Sequence, residues 1–156
     1  MENESGALSR VVGLFSARGY NIESLSVAPT DDDSLSRLTL VTRGSEQIVE
    51  QILKQLNKLI EVVKVTDLSD FKHIEREMML IKLEVRQADS VATIKQIADV
   101  FRAKVIDLSH KTFTIEVSGK GEKLDAFIEA MSEQNILEVV RSGCIGIARG
   151  NIALKV

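Results

Sequence analysis

A chain of 156 residues, 44% hydrophobic and 28% charged, has the composition of a globular protein with one ordinary domain or two small ones. A net charge of −3 and an aromatic content of 4% with no Trp argue against a basic footprint for nucleic acid and against a stacking platform for bases. No apolar run approaches the roughly 20 residues that span a bilayer, the start Met1-Glu2-Asn3-Glu4 is unlike a secretion signal, and the single Cys144 has no internal disulfide partner, so a cytoplasmic protein is expected.

In chain order, Leu8, Val11, Val12 and Phe15 recur at i, i+3, i+4 and i+7 and predict a helix over residues 5–18. Asn3 or Ser5 suits its cap, and Gly19 suits a left-handed stop. Leu25 and Val27 alternate with Ser24 and Ser26, a half-buried strand over 21–28. Pro29-Thr30-Asp31-Asp32-Asp33 is turn chemistry. Leu38 and Leu40 carry the next strand to about Thr42, and Ile48, Ile52, Leu56 and Leu59 mark a second helix. The β-branched Val62-Val63-Lys64-Val65 closes this unit as a further strand.

Residues 70–76 are polar enough to read as a linker between a domain at 1–69 and one at 77–156. Residues 78–85 then predict a strand, and Val91, Ile94, Ala98 and Phe101 a helix. Val105-Ile106-Asp107-Leu108 is a strand, with a turn at Ser109-His110-Lys111. Phe113, Ile115 and Val117 alternate in another strand. Leu124, Phe127, Ile128 and Met131 form a helical stripe, and residues 136–147 contain a final strand. The second half thus reads strand-helix-strand-strand-helix-strand, the split βαβ or ferredoxin-like order. The first half repeats it without its leading strand, which in such sheets lies centrally. Two strands would keep unpaired ladder groups. An apolar strand of roughly 6 residues is therefore expected ahead of Met1, or another chain completes the sheet. The fold class expected is α+β, two tandem ferredoxin-like βαββαβ domains.

The segment Asn3-Glu4-Ser5-Gly6-Ala7-Leu8-Ser9-Arg10 is the richest in chemical possibility. A glycine at a helix start leaves backbone N–H groups sterically open, and those donors with the helix dipole attract a carboxylate. The amide of Asn3 both donates and accepts, as the ammonium and carboxylate of an amino acid require. An ordinary capped helix explains the same spacing, and spacing alone favours it. Asn21 and Ile22, at the next turn, suit a polar contact and an apolar wall, although a turn Asn supporting its own backbone is the plainer reading.

Other candidates are weaker. His73 and His110 lack metal-ligand spacing to Cys144. Cys144 reads as a small strand residue without a base to activate it. Asp31, Asp32 and Asp33 read as a solvated hairpin tip before a cation site. Gly119-Lys120-Gly121 lacks the phosphate-loop spacing.

The run Glu2-Asn3-Glu4-Ser5-Gly6-Ala7-Leu8-Ser9-Arg10-Val11, continued through Gly13-Leu14-Phe15-Ser16-Ala17-Arg18-Gly19-Tyr20-Asn21-Ile22-Glu23-Ser24-Leu25, resembles the opening of the acetolactate (acetohydroxyacid) synthase small-subunit family. Val27-Ala28-Pro29-Thr30-Asp31, Ser36-Arg37-Leu38-Thr39, Glu75-Arg76-Glu77-Met78-Met79-Leu80 and Arg141-Ser142-Gly143 are similar to it as well. The resemblance covers essentially the whole chain and departs at the N-terminus, where the family's opening strand is missing.

That resemblance implies an N-terminal ACT domain and a regulatory subunit with no catalytic centre and no cofactor of its own, acting in branched-chain amino-acid biosynthesis. Its partner would be a large catalytic subunit, a transferase carrying thiamine diphosphate, magnesium (Mg) and a flavin (FAD), which it stimulates and places under valine feedback inhibition. It implies a homodimer with valine at the ACT-domain interface, the helix-start loop of one protomer facing the Asn-Ile turn of the other. Carried onto this chain, the effector residues are Asn3, Gly6, Ala7, Ser9, Asn21 and Ile22. A free-standing amino-acid-sensing module controlling another enzyme or a transcription factor is the alternative. An RNA-binding domain is disfavoured, because Phe113 alone makes no aromatic surface.

Overall fold

The computed structural model describes residues 1–86 and 88–154. Its elements are α1 (Ala7–Ala17), β1 (Ser24–Pro29), β2 (Ser36–Val41), α2 (Glu46–Leu56), a 3₁₀ turn (Leu68–Asp70), β3 (His73–Glu84), α3 (Ala88–Val100), β4 (Lys104–Leu108), β5 (Thr112–Gly119), α4 (Gly121–Ala130), β6 (Asn135–Arg141) and β7 (Ile145–Ala148). Two compact units result among the described residues, one of residues 1–74 with 145–154 and one of residues 75–144.

In the first unit, β1 and β2 form an antiparallel hairpin in continuous register from Ser24↔Val41 to Pro29↔Ser36. Its tip is closed by short polar bonds, with Asp32 Oδ1 accepting from Ser34 N–H at 2.9 Å and Ser34 Oγ–H at 2.6 Å. Those two bonds hold the Asp32 carboxyl below the usual carboxylate range. The face of α1 that is buried carries Ala7, Val11, Leu14 and Phe15. Val11, Leu14 and Phe15 pack with Ile52 of α2, with Leu38, Leu40, Tyr20 and Ile22 around them. Phe15 meets Tyr20 edge to face at 6.1 Å. The stripe is rotated from the one expected: Leu8 and Val12 are only half-buried, because Ala7 lets the helix approach its neighbours along the 7–11–14 line. Periodicity alone allows either choice.

Ahead of α1, residues 1–3 run between two segments. Asn3 N–H donates to Ser34 O, Ser36 N–H to Met1 O, and Glu2 N–H to Glu61 O. The segment 62–65, expected as a strand, carries no regular structure. β-Branched residues favour a strand only where a neighbour supplies a regular ladder, and the Glu2–Glu61 backbone bond stands just ahead of this segment. α2 is capped by Ser45, whose side chain accepts from Ile48 N–H and so satisfies one of the donors a helix start leaves open. β7 pairs with β3, and Arg149 N–H donates to Lys72 O.

The second unit has the full expected order. Its strands lie β4-β5-β3-β6, with β3 antiparallel to both β5 and β6. Alternation places Met79, Ile81 and Leu83 of β3 and Phe113, Ile115 and Val117 of β5 on one face, buried under Ile94 and Ala98 of α3 and Leu124 and Phe127 of α4. Two bounds differ from expectation. β3 begins at His73, inside the stretch read as a linker, and the expected final strand is two, β6 and β7, separated by Gly143 at φ 81°. A left-handed glycine turns the chain out of extended geometry there.

One ion cluster ties helix to sheet in this unit. Arg141 grips Glu77 through two bonds, Nε–H to Oε1 at 3.0 Å and Nη2–H to Oε2 at 2.7 Å, and reaches Asp125 of α4 at 2.6 Å. The paired carboxylate of Glu77, whose side chain is only 10% exposed, leads in holding the guanidinium charged. Arg141→Ala would leave that carboxylate withdrawn from water and without its fork. It should lower stability by about 2–3 kcal/mol, read as a reduced urea midpoint. Arg141→Lys should recover only part, since an ammonium cannot make both bonds at once.

Candidate functional site

The start of α1 departs from the expected cap. The N-cap is Gly6, at φ 92° and ψ −17°, with no side chain bonded to the helix start and no acidic residue in the first turn. Only glycine takes that backbone at little cost. A Cβ built there would meet nothing within 4 Å, so the position faces open space and the helix end is accessible. The first turn thus offers no carboxylate to the positive end of the dipole.

Next to it lies a cavity of about 210 Å³. Leu8, Val27, Ala28 and Pro29 give it an apolar wall, and Asn3, Glu4 and Ser36 a polar rim. The wall explains the fate of Leu8: the rotation of α1 that buries Ala7 turns Leu8 out of the core and into the cavity. Positive backbone donors at the helix start, a carboxylate at Glu4 and an aliphatic wall together match the three parts of a small apolar amino acid.

Of the six expected effector residues, Asn3 lines the cavity, and Gly6 caps the helix beside it. Ala7 is buried beneath α1, and Ser9 is exposed on the first turn. The amide of Asn3 is already engaged within the chain, Nδ2–H donating to Asp33 O and Oδ1 accepting from Ser36 Oγ–H, each at 2.9 Å. It therefore positions the loop, with only its second N–H and second lone pair left over.

Asn21 and Ile22 are elsewhere. They follow the C-terminal end of α1, about 16 Å from its start at 1.5 Å per residue. The Asn21 carbonyl accepts from Thr42 Oγ1 at 2.6 Å, its side chain is exposed, and Ile22 packs against the first unit's core. One protomer does not bring the two groups of residues together.

Sequence reasoning misses Glu4, Leu8, Val27, Ala28 and Pro29 as cavity residues. The helical stripe puts Leu8 in the core, and alternation puts Val27 on an ordinary strand face. A signal is present in the small, turn-like Val27-Ala28-Pro29, which ends β1 opposite the helix start.

The remaining candidates find ordinary roles. His73 Nδ1 lies 2.7 Å from Phe71 O. His110 sits exposed at the turn between β4 and β5, and Lys120 leads directly into α4. Among the described residues no His, Cys, Asp and Glu group has metal-holding geometry. Burial, then the carboxylates of Glu75 and Glu77, push the Cys144 thiol up from its usual value. The group is therefore protonated at neutral pH. Iodoacetamide should label Cys144 more slowly than a free thiol at pH 8, with the rate climbing only above the ordinary thiol range. Rapid labelling at pH 7 would contradict this account.

No helix among the described residues is long and apolar enough to cross a membrane. Residues 1–64 match the family model described as the AHAS small subunit-like ACT domain, and residues 76–150 that described as the small subunit of acetolactate synthase. The chain is 54% identical over 151 residues to the acetolactate synthase small subunit of Haemophilus influenzae, covering 96% of this chain and 92% of that protein. It is 49% identical over 156 residues to the acetolactate synthase isozyme 3 small subunit of Escherichia coli, covering 99% and 95%. The crystal structure of the acetolactate synthase small subunit from Thermotoga maritima superposes with a TM-score of 0.86 at 37% identity, covering 97% of this chain and 94% of that one.

Proposed function

The chain belongs to the acetolactate synthase small-subunit family, and on that basis we propose that it senses valine on behalf of the catalytic subunit. Membership makes it a regulatory subunit that partners the acetolactate synthase catalytic subunit in branched-chain amino-acid biosynthesis. Both halves match the family, which favours this over a free-standing sensor. In our reading thiamine diphosphate, magnesium and flavin reside on the catalytic subunit, and this chain stimulates that subunit and carries the feedback signal.

The observation that supports the reading best is the cavity at the uncapped start of α1, inside the ACT-domain match. Valine's carboxylate would approach the helix start at Gly6, where Ala7 N–H already donates to Glu4 O at 3.3 Å, and its ammonium would face the Glu4 carboxylate. Leu8 and Val27 would hold its isopropyl group. Asn21 and Ile22 would come from a second protomer, since α1 holds them at its far end. A homodimer is the simplest arrangement that supplies both. Valine then stabilises one packing of the pair over another, and a coupling of about 1–3 kcal/mol is enough to change an affinity several-fold or more.

The decisive assay measures the cognate catalytic subunit with and without this chain, titrated with valine, leucine and isoleucine. Gly6→Asp sets a negative charge at the helix start, and Gly6→Ala imposes the same backbone strain without the charge. The aspartate should weaken valine inhibition tenfold or more, about 1.4 kcal/mol, with stimulation retained, and the alanine markedly less. Equal valine sensitivity in Gly6→Asp and the native chain removes the site. Asn21→Ala should cost about 1–3 kcal/mol of valine affinity by calorimetry on the purified chain. An unaltered affinity counts against a contribution from that turn.

A further inference from the structure

The sheet of the second unit ends at β4, Lys104–Leu108, and all five of its residues are exposed. Three are apolar: Val105, Ile106 and Leu108. Leu108 is 60% exposed, and Val100, the last residue of the α3 helix that touches β4, is 75% exposed. An open edge of this composition is a template for another strand, its apolar residues interrupted only by Lys104, Asp107 and one slip of register at Ile106.

The register indicates which strand fits. Lys104 stands opposite Glu116 and Val105 opposite Ile115; the pairing then slips at Ile106, so that Asp107 opposes Thr114 and Leu108 opposes Phe113. Ile115 and Phe113 are buried on the helix-covered face. Val105 and Leu108 therefore share that face, and Lys104 and Asp107 share the other. In a regular strand residues three apart point to opposite faces, so the bulge is what sets the two charges side by side.

We propose that β4 pairs edge to edge with β4 of a second copy of this chain, antiparallel, about a two-fold axis between Val105 and Ile106. In that register each Lys104 lies opposite the other copy's Asp107 on the same face, giving two ion pairs. Val100, Val105 and Leu108 of both copies gather on the helix side. Moving the axis to Ile106 opposes Lys104 with Leu108, which face opposite ways. The other edge, β6, offers no such match: an axis at Glu138 sets that carboxylate against itself, and Arg141 is already held by Glu77 and Asp125. The β4 contact is self-complementary and closes at two chains. It engages a surface separate from the effector cavity, since every residue lining that cavity lies in the first unit.

The test uses the full chain with Cys144→Ser to remove the native thiol. Directly opposed residues across an antiparallel pair have Cα atoms about 4.5–5.5 Å apart, within disulfide reach. Lys104→Cys with Asp107→Cys should therefore give a covalent dimer on mild oxidation with copper phenanthroline, seen on a non-reducing denaturing gel. Either single cysteine should remain largely uncrosslinked, because it faces Asp107 or Lys104 of the other copy. Adding Leu108→Glu to the double variant should abolish the dimer while circular dichroism stays unchanged. No covalent dimer from the double variant overturns the proposal, and so do single variants that cross-link as efficiently. The readout needs neither valine nor the catalytic subunit, so its failure leaves the effector reading standing.

Discussion

The contact of α1 with α2 and β2 governs the candidate site. Val11, Leu14 and Phe15 lie against Ile52, with Leu38 and Leu40 packed on the same cluster. Each fully buried side chain of this kind is worth about 1.5–3 kcal/mol of transfer free energy, large beside the net stability of a small domain. The contact also fixes a rigid rod. Its N-terminal end is aimed at the cavity and its other end at the Asn21 turn. A helix cannot bend those two places together. The rotation of the rod about its own axis matters as much as its position. With Ala7 inward, Leu8 becomes a wall of the cavity; with Leu8 inward, that wall would be absent and the helix would stand further from its neighbours.

Much of this is legible in the residues. The second unit follows from simple alternation at Phe113, Ile115 and Val117 and from the stripe Leu124, Phe127, Ile128 and Met131, because all of those residues are fully buried except the half-buried Ile128. The same reasoning places the first helix but not its rotation, since Ala7 carries too little hydrophobicity to announce itself and Leu8 too much. The cap misleads for a related reason. Asn3 and Ser5 are good caps by type, yet the chain spends the Asn3 side chain on Asp33 and Ser36, thirty or more residues away. Long-range partners of that sort leave no local trace. The identity of the family rests on a different kind of signal, the literal run of residues through both halves, and spacing would not have supplied it.

The two units share an order of elements and differ in how their strands are paired. β3 of the second unit has a full ladder on each side, and its core draws on two strands and two helices at once. In the first unit the buried cluster comes from α1 and α2, while Leu38 and Leu40 remain half-buried. Residues 1–3 reach both flanking segments with only a few backbone bonds. Backbone pairing and core burial rise together because a central strand brings both helices over one continuous face. The unit with the looser core is the one that carries the candidate cavity, and regions of low local stability are where ligand-driven rearrangement costs least.

The edge-to-face pair of Phe15 and Tyr20 carries a practical corollary. Tyr20 is the single tyrosine in a chain without tryptophan, so emission excited to the red of the phenylalanine absorption originates in one ring at the foot of α1. That ring borders Ile22 and the first unit's cluster. Fluorescence excited there consequently watches half of the molecule, and the other half does not emit. Far-ultraviolet dichroism sees helices in both, so divergence between the two signals during heating separates the melting of one unit from that of the other without a label.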